Sequence, residues 1–134
     1  MDFEVAAFDL DGTLTKSKSP LESETAELFC KLLEKVKIVV ITGGTFEQLK
    51  KQFLNRLINV NLNLMTRLYL CPVSGAAMYK YDVMSNKWVA VYEDFMRPSE
   101  RGRIKIAIGT AIRDVGLPIN VFDKVYGKII EDRK

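Results

Sequence analysis

Residues 7–17 read AFDLDGTLTKS, an apolar run that ends in two carboxylates one residue apart, Asp9 and Asp11, followed by Gly12 and Thr13. The segment leading into it, FEVAAFDL from Phe3 to Leu10, is almost continuously apolar between Val5 and Phe8. That is the pattern of a strand buried on both faces of a parallel sheet, with Asp9 at its end. A second such run, KIVVITGG from Lys37 to Gly44, is β-branched and closes on two glycines. Between them lies TKSKSPLESETAELFCKLLEKVK, where Ala26, Phe29, Leu33 and Val36 recur at helical intervals and give one apolar face. Ser19, Pro20 and Glu22 stand at the N-cap, N1 and N3 positions of a capping box, so the helix is expected to begin there. Thr45 and Gln48 repeat that spacing after the second strand, and Leu49, Phe53 and Leu57 continue as the stripe of a second helix. RLYLCPVSG supplies a third strand, with NVNLNLMT before it as a connection or a short extra strand. Strand, helix, strand, helix in about sixty residues is the grammar of an α/β fold with a doubly wound, Rossmann-like parallel sheet.

Near Ser74 the pattern changes. AAMYKYD, the turn VMSNK and WVAVYED mix polar and apolar residues as a β-hairpin does. PSERGRIKIAIGTAIRDVGLP follows as a helix with Ile104, Ile108, Ala111, Ile112 and Val115 on one face, stopped by Gly116 and Pro118. NVFDKVYGKIIEDRK closes the chain as one or two strands. This second half reads as an α+β module of another kind, which places a boundary near residue 80, with 1–80 as core and 81–134 as the second module.

At 134 residues and 48% hydrophobic content, the chain suffices for a real core. Twenty Lys and Arg against seventeen Asp and Glu leave a net charge of +3, scattered rather than striped, which argues against nucleic acid as a partner. The acidic N-terminus MDFEVAAFDLD is unlike a signal peptide, and the longest apolar runs fall far short of a membrane span, so a cytoplasmic setting with no membrane partner is expected. Cys30 and Cys71 show no CxxC spacing and read as free thiols. Histidine is absent, which removes every mechanism with an imidazole base. The chemistry is left to carboxylates, lysines, hydroxyls or a metal.

A single Asp would serve a turn; two leaving a strand together repel unless a cation or a separate task for each offsets the cost. Mg²⁺ bound through Asp9 and Asp11 is the natural remedy, since it prefers hard oxygen donors. An anionic Asp9 can then attack phosphorus, while Asp11 protonates the leaving oxygen and later takes a proton from water. The backbone from Leu10 to Gly12 offers an anion-binding nest, and Gly12 lets it approach closely. Thr42 and Gly43, at the end of the second strand, would hold a phosphate oxygen from the other side of the same crevice.

FDLDGTLT resembles the first motif, DxDGT, of the haloacid dehalogenase superfamily of phosphatases and phosphomutases, and VVITGG is similar to its second, a hydrophobic strand ending in Ser or Thr. TGGTFEQLKKQF and SGAAMYKYD further resemble the type IIB branch, with phosphomannomutases, sucrose and trehalose phosphate phosphatases and Cof-like sugar phosphatases; Ser74 stands where that branch often has Asn. The resemblance covers about the first 82 residues. It implies a Mg²⁺-dependent phosphohydrolase acting on a small phosphorylated metabolite, such as a sugar phosphate, through an aspartyl-phosphate. A phosphomutase is the alternative, and a regulatory or phosphate-binding domain without turnover is a further one. It also implies that residues after 80 begin a cap domain; left incomplete, such a cap would expose apolar surface and promote self-association. The family's third-motif Lys and fourth-motif acidic pair have no counterpart here: Asp123, Glu131 and Asp132, and Lys124, Lys128 and Lys134, lack the required context. The expectation is therefore the N-terminal part of a longer enzyme, or a short homologue that takes its remaining ligands from elsewhere.

Overall fold

Apolar and β-branched residues dominate Val5–Asp9 and Lys37–Ile41, and these two segments form the strands β1 and β2 of a computed structural model that describes residues 4–58 and 60–116. The remaining elements follow in the order α1 (Ser23–Leu33), placed between those strands, then α2 (Phe46–Gln52), α3 (Leu62–Met65), β3 (Leu68–Cys71), β4 (Ala77–Asp82), β5 (Lys87–Glu93) and α4 (Pro98–Asp114). Short 3₁₀ turns occupy Leu54–Arg56 and Val73–Gly75. The five strands form one sheet in the order β1-β2-β3-β4-β5. β1, β2 and β3 run parallel, with Asp9 opposite Ile41 and Ile41 opposite Cys71. β4 and β5 are antiparallel additions. The expected α/β class with a Rossmann-like parallel core is what the chain adopts.

The period-two alternation of the strands explains where the core lies. Ile38, Val40, Leu68 and Leu70 are fully buried, together with Ala26, Phe29 and Leu33 of α1 and Leu49 of α2. Phe53, just past α2, meets Phe29 edge-on with ring centroids 4.9 Å apart, and Phe29 meets Phe8 of β1 at 6.4 Å. Three rings thus join a strand to both helices, each pair adding a favourable edge contribution to its buried area. The alternate residues Val5, Ala7 and Asp9 of β1 and Ile41 of β2 are exposed. Continuous apolar character in β1 therefore reflects the short strand rather than burial on both faces.

Tertiary contacts move the start of α1. The helix begins at Ser23, with Glu22 at the N-cap and no side-chain cap, instead of at the Ser19-Pro20-Glu22 box. The Leu21 N–H donates to the Gln52 carbonyl at 2.8 Å and its own carbonyl accepts from Arg56 Nε at 3.2 Å, so the backbone there is tied to the end of α2 before a helix can claim it. Glu22 pairs instead with Lys16 at 3.0 Å on the surface. The box at α2 forms as its spacing predicts: Gln48 N–H reaches Thr45 Oγ1 at 3.2 Å and Thr45 N–H reaches Gln48 Oε1 at 2.7 Å. Within NVNLNLMT, Leu62–Met65 form the short helix α3 rather than a strand, with Asn61 accepting from the Asn63 N–H at 2.9 Å.

The boundary expected near residue 80 falls inside β4. Because β4 hydrogen-bonds to β3, the hairpin β4–β5 extends the core sheet, and the described residues divide into two compact units between Asp94 and Phe95. The second unit is α4, opened by Pro98 at N1 and by Glu100 Oε2 accepting from the Arg97 N–H at 2.9 Å. Of the face drawn from the sequence, Ile112 is buried, whereas Ile104, Ile108 and Val115 are exposed. The expected strands after residue 118, and the acids and lysines weighed there, lie outside the described residues. Among the described residues no helix is long and apolar enough to cross a membrane.

Replacing Phe53 by Ala removes the middle of this packing and should cost about 3–5 kcal/mol of unfolding free energy, read as a lowered urea midpoint with little change in slope.

Candidate active site

Parallel pairing of β1 with β2 sets Asp9 beside Ile41, so Asp9 and Thr42 leave the sheet at the same end, on strands about 4.8 Å apart. Asp9 is exposed and continues the outward row of Val5 and Ala7. Thr42 is only 3% exposed, although it is polar. Its Oγ1 accepts the Gly44 N–H at 3.1 Å, and its N–H donates to the Cys71 carbonyl at 3.0 Å. With the lone pair occupied by Gly44, the hydroxyl proton is left to donate.

The turn after β1 is built around one carbonyl. Leu10 C=O accepts from the N–H of Leu14 at 3.1 Å, the N–H of Thr15 at 2.9 Å and the buried hydroxyl of Thr15 at 3.2 Å. The Leu10 side chain is fully buried in the core, so any part it plays at the rim comes from its backbone. Gly12 adopts a φ of +84° and spends its N–H on the Thr15 carbonyl at 2.7 Å. The glycine expected to contact phosphate through its amide instead makes the turn, because only a residue without Cβ takes that conformation cheaply. Asp11 is held by the loop that follows: its Oδ1 accepts from the Lys18 N–H at 2.7 Å, with Lys18 itself at a φ of +56°. Asp11 is thus separated in role from Asp9, one carboxylate anchored to backbone and the other open.

The rim continues at β3. Pro72 is buried, and Val73, Ser74 and Gly75 take positive φ values of 51°, 54° and 85°. The Val73 N–H donates to the Gly44 carbonyl and the Ser74 N–H to the Thr42 carbonyl, both at 2.8 Å. A Cβ on Gly44 would lie 3.0 Å from Gln48 Oε1 and 3.4 Å from Thr42 Oγ1. These contacts, which no spacing rule announces, make the loop after β3 part of the site. The one hint in the sequence is the SG pair at Ser74–Gly75, a turn signal directly after a strand.

The hairpin aromatics pair across the strands and with neighbouring elements. Tyr81 faces Trp88 across the strands at 5.5 Å, Tyr79 packs on Phe46 at 4.5 Å, and Tyr92 donates its hydroxyl to the Gly75 carbonyl at 2.8 Å. Tyr79 also donates to Glu93 Oε1 at 2.5 Å. Burial, reinforced by this hydrogen bond and the charge of Glu93, pushes the Tyr79 phenol up to about 12. Burial likewise raises the thiols of Cys71 and Cys30, the latter also through Glu34, which disfavours the thiolate of both free cysteines. Among the described residues no group of three or more His, Cys, Asp and Glu is gathered to hold a metal. Asp9 and Asp11 offer the hard oxygen donors that Mg²⁺ prefers, and as two carboxylates they suit an ion that keeps several waters.

The arrangement has structural counterparts. A Plasmodium falciparum IMP-nucleotidase superposes with a TM-score of 0.64 at 20% identity, over 85% of this chain and 35% of that one. A haloacid dehalogenase-like hydrolase from B. subtilis superposes at 0.55 and 18% identity, over 83% of this chain and 34% of its own. The fold is haloacid dehalogenase-like. In sequence, 55 residues are 38% identical to Phosphomannomutase 2 of Dictyostelium discoideum, covering 41% of this chain and 22% of the relative. No protein-family profile matches the chain. The chain thus spans about a third of the length of these two solved structures, and its match covers 22% of the phosphomannomutase.

Two measurements probe this geometry. Gly44→Ala should displace the Gln48 amide from its capping box and lower stability by about 1 kcal/mol, and the cost should shrink in a Gln48→Ala background, as a double-mutant cycle of thermal unfolding would report. The raised Tyr79 pKa means that the folded state holds its proton above pH 10 while the unfolded state releases it. Stability from this group is full below about pH 10 and is lost as pH climbs towards 12, a slope that Tyr79→Phe should flatten in denaturation curves taken across that window.

Proposed function

We propose that this chain carries the nucleophile-bearing part of a phosphoryl-transfer enzyme, a phosphohydrolase acting on a small phosphorylated metabolite, a sugar phosphate fitting the resemblance best. The observation that carries the reading is the parallel register that pairs Asp9 with Ile41, so that the exposed carboxylate of Asp9 and the buried hydroxyl of Thr42 leave the sheet at the same end, with Asp11 anchored separately by the Lys18 amide. Similarity to an IMP-nucleotidase, a haloacid dehalogenase-like hydrolase and a phosphomannomutase supports it.

In this mechanism a phosphate monoester lies across the strand ends, one oxygen accepting from the Thr42 hydroxyl and others near the backbone of Leu10 and Gly43. An Asp9 oxygen attacks phosphorus as the bond to the leaving oxygen breaks, and Asp11 delivers the proton that oxygen needs. A water then attacks phosphorus, its proton passing to Asp11 as the Asp9 O–P bond breaks, which restores the Asp9 carboxylate and the protonated Asp11 and releases inorganic phosphate. Mg²⁺ held by Asp9 and Asp11 would supply neutralisation of the phosphoryl charge.

The 38% identity to a phosphomannomutase favours a second reading, in which the phosphoryl group returns to a sugar hydroxyl instead of passing to water. The small number of acidic ligands gathered among the described residues favours a third, a domain that binds phosphate without turnover.

The test is hydrolysis of an aryl phosphate by the 134-residue chain with Mg²⁺ and with EDTA, beside Asp9→Asn. We expect metal-dependent turnover that falls by at least about 10³-fold in a variant with unchanged thermal stability, the size of effect seen when a covalent nucleophile is removed. Turnover that survives Asp9→Asn would reject Asp9 as nucleophile. Silence from a folded chain that still binds phosphate would select the binding reading.

A further inference from the structure

Three consecutive residues with positive φ are rare outside glycine, and here two of the three carry side chains, one of them β-branched. Each non-glycine residue in the left-handed region costs on the order of 1–2 kcal/mol, so the turn Val73–Gly75 persists only where its surroundings impose it. What surrounds it is the Thr42–Gly44 loop. The Val73 and Ser74 N–H groups donate to the Gly44 and Thr42 carbonyls at 2.8 Å, the Gly44 N–H donates to Thr42 Oγ1 at 3.1 Å, and the Gly75 carbonyl accepts the Tyr92 hydroxyl at 2.8 Å. The Val73 amide leaves an already extended Pro72, and a relaxed extended conformation at Val73 would turn the Ser74 amide away from the Thr42 carbonyl.

We propose that Val73 and Ser74 are positioning residues: their left-handed turn aims two backbone amides at the Thr42–Gly44 loop and thereby fixes the Thr42 hydroxyl for an incoming phosphate oxygen. This rests on the phosphoryl-transfer reading for its ligand, but its structural half stands on the hydrogen bonds alone. The backbone strain at β3 is the cost of a preset anion site on β2. Residue 74 is the position at which to vary it, since Ser74 is exposed and its amide makes the contact. Asn and Gly accept a φ of +54° readily, whereas Val resists it.

The experiment compares Ser74→Asn, Ser74→Gly and Ser74→Val in the whole chain by thermal unfolding, by amide hydrogen exchange and by titration with inorganic phosphate followed at the Thr42 and Gly43 amide resonances. We expect Ser74→Asn to slow Gly44 exchange, and both Ser74→Asn and Ser74→Gly to keep phosphate affinity. Ser74→Val should speed Gly44 exchange and weaken phosphate about tenfold each, the ratio that corresponds to the left-handed penalty. The Leu21 amide, bonded to Gln52 elsewhere in the sheet-and-helix core, should not follow. If Ser74→Val speeds Gly44 and Leu21 equally, or lowers Tm with Gly44 exchange and phosphate affinity unchanged, the positioning role is wrong. Should Ser74→Val fail to fold, Ser74→Asn decides: slower Gly44 exchange supports the proposal, and a raised Tm with unchanged Gly44 exchange overturns it. A wild-type chain whose Thr42 and Gly43 resonances ignore phosphate would sink the phosphate reading, while the exchange series would still decide whether the turn holds the loop.

Discussion

The parallel ladder between β1 and β2 is the constraint on which the rest depends. Its register, Asp9 opposite Ile41, is fixed because a slip by one residue would carry Ile38 and Val40 out of the core and bring Lys37 and Val39 into it. With that register set, the first carboxylate and the buried threonine share a rim whatever the intervening loop does. The crossover from β1 to β2 must then pass over one face, and α1 supplies it with the apolar stripe that reaches Phe8 and Phe53 through Phe29.

Around that frame the rim is assembled from backbone more than from side chains. The Leu10 carbonyl accepts the bonds that build the first turn, the Lys18 amide donates to hold Asp11, and the Val73 and Ser74 amides donate to hold the second loop. The side chains that the proposed reaction would use are those of Asp9, Asp11 and Thr42. This division explains why the local geometry depends on residues with unusual backbone angles, Gly12, Lys18, Val73, Ser74 and Gly75.

The same division sets what could be read from the sequence. Strands β1, β2 and β3, the helical stripe of α1, the capping box of α2 and the hairpin β4–β5 were legible because each is written in side-chain period or cap spacing. The start of α1 was not, since the backbone of Leu21 is taken by Gln52 and Arg56, thirty residues away in sequence. The edge of the first compact unit was missed for a related reason: a hairpin with mixed polarity looks like a separate module until its pairing with β3 is known. Asp9, Asp11 and Thr42 stood out by residue type and place. The loop Val73–Gly75 did not, because amides carry no letter in the sequence.

Trp88 gives this sheet an optical asymmetry. It is the chain's one tryptophan, it packs against Tyr81 and the core edge, and the antiparallel register carries it towards the end of the sheet opposite Asp9 and Thr42. Its emission therefore reports on whether the β4–β5 hairpin is seated, and is largely blind to what occupies the rim. Selectively excited Trp88 emission is therefore a gauge of sheet integrity at the end away from the rim.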